Sequence, residues 1–151
     1  MKRSRSDLET TVSFLCTRGS KIDEDDWLKL NRAIAYVKCT IDDVRIIGAS
    51  SLTDVYTWID AAYTMNPDIK SQTGGAMSLD VGVLNAKINK QKLNVKSSIE
   101  IEIVGTSEYM PYNLWLLMFM NMQGYVIKNN VLYQDNQSTI LMLEMGVIPA
   151  Q

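Results

Sequence analysis

The sequence predicts an α/β fold: a mixed sheet with an antiparallel hairpin and packed helices, preceded by two short helices. Three observations carry this. Strand-like runs at 55–61, 75–79 and 83–89 precede the longest apolar-rich stretch, 97–123, which reads as a helix for a sheet to pack against. A further strand-like run at 131–135 and a last helical pattern follow it, so after Val44 the order is strand, strand, strand, helix, strand, helix. That order needs an antiparallel hairpin and at least one parallel crossover. Third, two helical patterns stand ahead of the strands, which divides the 151 residues into a helical segment, 1–43, and an α/β domain, 44–151.

Composition narrows the chemistry. The chain has no histidine, and Cys16 and Cys39 belong to no CxxC pair. Ser-His-Asp and Cys-His triads and imidazole-ligated zinc are therefore excluded within this chain. Carboxylates and lysines remain, with oxygen-ligated hard cations as their natural cofactors. The net charge of −2 argues against binding nucleic acid through bulk charge alone. The basic N-terminus is followed by no apolar signal region, and the seven-residue run at 114–120 is too short to span a bilayer. The expectation is an intracellular protein, cytoplasmic or nuclear, with no membrane partner.

The first helix is expected at 7–17, where Ser6 or Asp7 can cap it and Leu8, Thr11, Val12 and Leu15 share a face. The second lies within 21–38: acids load its first turn, Lys38 sits in its last, and Trp27, Leu30, Ile34 and Val37 fall on one side. A short apolar run at 44–49 precedes a turn at 50–54. In the strand 55–61, Tyr56, Trp58 and Asp60 alternate with Val55, Thr57 and Ile59, so one face carries two aromatics and an acid. Asn66-Pro67-Asp68 signals a turn, Gly74-Gly75 opens the next strand, and Asp80-Val81-Gly82 forms a hairpin into 83–89.

The long helix is assigned an inner stripe of Ile99, Ile103, Met110, Leu114 and Leu117, a kink or fresh start at Pro111, and an end at Gly124. Asn136 can cap a last helix at 137–144, stopped by Gly146 and Pro149. Trp27, Trp58, Trp115 and Tyr112 read as core or interface aromatics. From 84 to 98 the sequence holds four lysines, Lys87, Lys90, Lys92 and Lys96, and no acid. The strip reads either as a solvated edge strand or as a phosphate-contacting surface.

Three motifs then stand in order: WIDAAYTMNPDIKSQTGGAMSL, NKQKLNVKSSIEIEIVG and YQDNQSTI. Together they resemble the ribonuclease H domain that ends the polyprotein of copia-type retrotransposons. The upstream SRSDLETTVSFLCTRG and DDWLKLNRAIAYVKCTIDD resemble the segment joining that domain to the reverse transcriptase. The resemblance runs from about Ser4 to Leu143 and implies a ribonuclease H-like fold for 44–151, with the domain cut short at its C-terminal end. It implies hydrolysis of the RNA strand of RNA/DNA hybrids by two-metal catalysis, with magnesium, or manganese in its place. It further implies the reverse transcriptase part of the polyprotein as a partner.

Carried over by motif, the family's catalytic and metal-binding carboxylates fall on Asp60, Glu102 and Asp135. Glu100 and Glu102 lie about 200° apart on a helix, so only one of them can face a site. Periodicity barely separates the two; Glu102 heads a stripe with Thr106 and Tyr109, and the family pattern also favours it. Under this reading Lys87, Lys90, Lys92 and Lys96 contact nucleic-acid backbone. Ser97, Ser98, Asn136 and Ser138 are either hydroxyl and phosphate contacts or helix caps.

The sequence also departs from the family. Ile99 stands where the family has Thr before the first Glu, and a fourth family carboxylate near a later His-Ile-Asp segment has no counterpart before Gln151. The alternative functional reading is a catalytically inactive remnant that acts as a nucleic-acid-binding or structural fragment. A third is an unrelated small α/β protein whose acids cap helices and solvate turns.

Overall fold

The computed structural model describes residues 5–62, 71–91, 93, 95 and 97–145. The chain divides into two compact units, Met1–Ile46 and Ile47–Gln151.

The first unit is helical. A 3-10 turn, Ser6–Leu8, leads into α1 (Glu9–Thr17), and α2 spans Glu24–Cys39. The start of α2 is a complete capping box. The Asp26 backbone N–H donates to Asp23 Oδ1 at 2.9 Å, and the Asp23 N–H donates back to Asp26 Oδ2 at 3.3 Å. Arg18 then bridges Asp26 and Asp23 at 2.9 and 2.8 Å, which gives the buried Asp26 carboxylate a cation. The expected stripe on α2 is only half right. Leu30 and Val37 are half-buried, whereas Trp27 and Ile34 are exposed.

The second unit is mixed α/β. Its strands are β1 (Gly48–Ala49), β2 (Asp54–Ala62), β3 (Gln72–Ser78), β4 (Asp80–Val81), β5 (Val83–Lys90) and β6 (Asn129–Tyr133). Its helices are α3 (Ser98–Met122) and α4 (Gln137–Met145). The main sheet has the order β5-β3-β2-β6, antiparallel from β5 to β2 and parallel between β2 and β6. The crossover from the hairpin strands to β6 is α3, as a parallel pair requires. Within the apolar run at 44–49 only Gly48–Ala49 is a strand, β1, which pairs with β4 in a separate two-stranded ladder. The β3–β5 connection takes positive φ at Asp80 (87°) and Gly82 (72°). The Ser78 hydroxyl holds this bend by accepting from the Asp80 N–H and donating to the Gly82 carbonyl.

Alternation places Val55, Thr57, Ile59 and Ala61 of β2 under α3 and leaves Tyr56, Trp58 and Asp60 on the other face, as the sequence predicts. Among the described residues, Val55, Ile59, Met77, Leu79, Tyr109, Leu116 and Met120 form one buried hydrophobic cluster.

The inner face of α3, however, is not the stripe expected. Ile101, Glu102, Gly105, Thr106, Tyr109, Asn113, Leu116 and Met120 are buried, while Leu114 is exposed and Ile99, Ile103, Met110 and Leu117 are only partly covered. The reason is close approach. A Cβ at Gly105 would come within 3.1 Å of Ala61 and 3.2 Å of Thr73, and a Cβ at Gly75 would overlap the Tyr109 ring. Small and polar residues thus interleave with Ile101, Tyr109, Leu116 and Met120 on the contact face, and a search for apolar periodicity alone does not find it.

Two further corrections concern α3 and the tryptophans. Of the kink or fresh start expected at Pro111, the fresh start does not occur: α3 runs unbroken past it. Ser107 and Pro111 are both exposed, so the carbonyl freed by the missing N–H lies on the solvent side. Contacts on both sides of the proline, Tyr109 on Gly75 and Asn113 on Thr57, hold the helix to the sheet. The helix closes as expected at Gly124 (φ 88°), with Gly124 N–H on the Asn121 carbonyl and Tyr125 N–H on the Met120 carbonyl. Of the core-or-interface reading of the aromatics, the core half fails for Trp27, Trp58 and Trp115, which are exposed; Tyr112 is half-buried. The Asn66-Pro67-Asp68 turn and the helix stops at Gly146 and Pro149 lie outside the described residues. No described helix is long and apolar enough to cross a membrane.

Candidate functional site

Three elements deliver three acids to one place. Parallel pairing of β2 with β6 stops at Trp58 opposite Tyr133, so Asp60 emerges two residues further on, where β2 has no β6 neighbour. Asp135 follows the end of β6 by two residues; it stands in the loop and not in the strand where it was expected. Ser97 caps α3, its hydroxyl accepting from the Glu100 N–H at 3.2 Å, and Glu102 lies in the first turns on the buried face. One carboxylate oxygen from each of Asp60, Glu102 and Asp135 lies within 4.8 Å of the other two. Glu100 is exposed, so of the two glutamates it is Glu102 that joins the cluster.

Glu102 is the buried member, while Asp60 and Asp135 are exposed. Burial raises the Glu102 pKa above the usual carboxylate value. Bonds from the Gln134 amide and the Ala61 N–H pull it back, and the Asp60 and Asp135 charges push it further up. The Gln134 Nε2 donates to Glu102 Oε2 at 3.1 Å, and the Gln134 Oε1 accepts from the Asp135 N–H at 2.8 Å and the Asn136 N–H at 3.3 Å. Gln91 secures the other side. Its Nε2 donates to Thr73 Oγ1 and to the Ile101 carbonyl, both at 2.9 Å, which ties the start of α3 to the sheet. Sequence reasoning assigned no role to either glutamine. Both stand inside quoted motifs, QKLNVKSS and YQDNQSTI, and that adjacency is the only signal the sequence offers.

The remaining predicted contacts divide. Lys87 donates to the Tyr112 hydroxyl, with its ammonium 4.2 Å from the ring centre, so that lysine is engaged with α3. Its bond draws the Tyr112 pKa down. Lys90 is exposed at the end of β5, which is an edge strand. Lys92 and Lys96 lie outside the described residues. Asn136 caps α4, its Oδ1 accepting from the Thr139 N–H at 3.1 Å, and Ser97 caps α3. Ser98 and Ser138 are exposed in the first turns of α3 and α4.

A second polar cluster joins the same elements. Asn113 Nδ2 donates to Thr57 Oγ1 and to Asn130 Oδ1, both at 2.9 Å, and Asn130 Nδ2 returns a bond to Asn113 Oδ1 at 3.0 Å. An open groove lined by Leu117, Met118, Asn121, Val126, Ile127, Lys128 and Asn130 lies toward the C-terminal end of α3 and includes none of the three acids.

Over 138 residues, 91% of its length, the chain is 25% identical to the retrovirus-related Pol polyprotein from transposon TNT 1-94 of Nicotiana tabacum. The similarity supports an origin in a retrotransposon polyprotein. The chain spans 10% of that relative's length. No protein-family model matches the chain, and no solved structure does.

Proposed function

We propose that residues 44–151 form a ribonuclease H-like domain of retroelement origin, which hydrolyses the RNA strand of an RNA/DNA hybrid at Asp60, Glu102 and Asp135. The observation that carries this reading is the convergence of those acids. They come from a strand, a helix and a loop far apart in sequence, and lie within 4.8 Å of one another.

The donor set fits a hard divalent cation. All three groups offer carboxylate oxygen, as magnesium and manganese prefer. Their 4.8 Å spread is near the separation of opposed oxygens around one such ion, about 4.2 Å at a metal–oxygen distance of about 2.1 Å. An acid held above its usual pKa by burial and by two neighbouring carboxylates is also a group that a cation would relieve. When bound, magnesium or manganese supplies a water of lowered pKa and neutralises charge on the phosphodiester in an in-line displacement.

The protein's part is to hold ligands and substrate. Gln134 and the Ala61 N–H fix Glu102, the end of β6 leaves Asp60 uncovered, and exposed Asp60 and Asp135 give a backbone phosphate access from solvent. Lys90, Lys92 and Lys96 are the proposed backbone contacts, and hybrid recognition rests on groove shape and 2′-hydroxyls in place of base sequence.

The test is cleavage of an end-labelled RNA/DNA hybrid by the purified chain with magnesium or manganese. The expected result is metal-dependent cutting of the RNA strand that Asp60→Asn and Asp135→Asn each reduce to background. Absence of cutting by folded wild-type protein would sink the enzyme reading and leave the inactive, nucleic-acid-binding or structural remnant.

A further inference from the structure

We infer that Gln134 is the positioning residue of the acidic site: one amide group sets the orientation of Glu102 and the path of the loop carrying Asp135. The inference rests on the reading of Asp60, Glu102 and Asp135 as cation ligands.

The amide has a single consistent orientation. Its oxygen receives two backbone N–H groups, from Asp135 and Asn136, and only an oxygen can accept them. The NH2 group therefore points the other way, toward Glu102 Oε2 at 3.1 Å, and that carboxylate oxygen is an acceptor. Rotating the amide would break all three bonds, so the loop and the helix are coupled through one rigid plane. Glu102 also takes the Ala61 N–H. Two donors on one carboxylate fix its rotamer and leave its remaining lone pairs for the space shared with Asp60 and Asp135. Without Gln134, three acids at this distance would relax by swinging Glu102 or the loop outward, and a cation would have to pull them back together. An outer bond of this type to a metal-ligating group is commonly worth 10- to 100-fold in metal affinity.

The alternative is that Gln134 only finishes the turn between β6 and α4. Titration of the full chain with manganese by calorimetry separates the two, alongside thermal melts of each metal-free protein. Gln134→Met keeps the length and removes every bond; Gln134→Ser keeps the position polar but too short to reach Glu102. Asn113→Ala serves as a control that weakens the fold away from the acids. Both Gln134 variants are expected to bind manganese about 10- to 100-fold more weakly than wild type, while Asn113→Ala melts lower and keeps wild-type affinity. Wild-type affinity in both Gln134 variants would overturn the inference. So would an equal loss of affinity in Asn113→Ala, because general loosening would then be the cause. If wild-type protein binds no manganese at all, the cation reading itself fails, and the inference with it.

Discussion

Two polar clusters bridge the helix α3 to the β2–β6 side of the sheet, and they are built in opposite ways. In one, Asn113, Thr57 and Asn130 exchange neutral hydrogen bonds, with Asn113 and Thr57 fully buried. In the other, Glu102, Asp60 and Asp135 bring three acids together with amide donors around them, Gln134 and the Ala61 N–H, and no cation at hydrogen-bonding distance among the described residues. A neutral network whose members satisfy one another adds to the fold and specifies how the helix sits. A set of like charges opposes the fold, because burial and repulsion both disfavour ionisation. The same elements therefore carry one cluster that secures the packing and another that the packing must support.

The largest effect should come from breaking both clusters together. Tyr109 lies on α3 between Glu102 and Asn113, and its ring occupies the space above Gly75. Gly75→Ala should lift the helix and cost about 3 kcal/mol, measured by urea unfolding. Asn113→Ala attacks the neutral cluster alone. It strands the Thr57 hydroxyl and part of the Asn130 amide, and should cost about 2 kcal/mol in the same assay. Glu102→Gln attacks only the acidic cluster, and there the sign reverses. Removing a buried like charge should leave the metal-free protein as stable as wild type or more so, by less than about 1 kcal/mol, while manganese binding is lost. Marked destabilisation by Glu102→Gln would refute the contrast between the clusters.

The smallest effect is in the pH profile. Because the folded state raises the Glu102 pKa above its usual 4.5, it holds that proton more tightly than the unfolded chain does. Metal-free stability should then fall as pH rises from about 4.5 through the raised value, and Glu102→Gln should flatten that limb of the curve. Asp7, Asp23 and Asp54 act at the acid end. They are lowered by the Arg5 side chain, the Asp26 N–H and the Asn129 amide respectively, Asp7 to about 2, so their contribution is lost as pH drops below about 3.8. A melt series from pH 3 to 8 with both proteins separates the two limbs.

Much of the second unit was legible because its signals are local. Alternation at 55–61 gives the two faces of β2, the Ser97 and Asn136 side chains cap α3 and α4, and Gly124 closes α3. The contact face of α3 was misread because close packing had selected Gly105, Thr106 and Asn113 there, while Leu114, Trp115 and Met118 remain exposed. The lysine strip was only partly a strip: Lys87 is turned to Tyr112, an engagement across 25 residues that no local pattern encodes.

The order of the main-sheet strands and the helices, the caps, the faces of β2 and the candidates Asp60, Glu102 and Asp135 were thus fixed by short-range patterns and motifs along the chain. That these acids share a volume 4.8 Å across, that Glu102 is the buried one, and that Gln134 and Gln91 hold the elements around it were decided only by tertiary structure. The physical reason is range. Propensity, alternation and capping act over a few residues, whereas desolvation and charge repulsion depend on which distant groups the folded chain brings together.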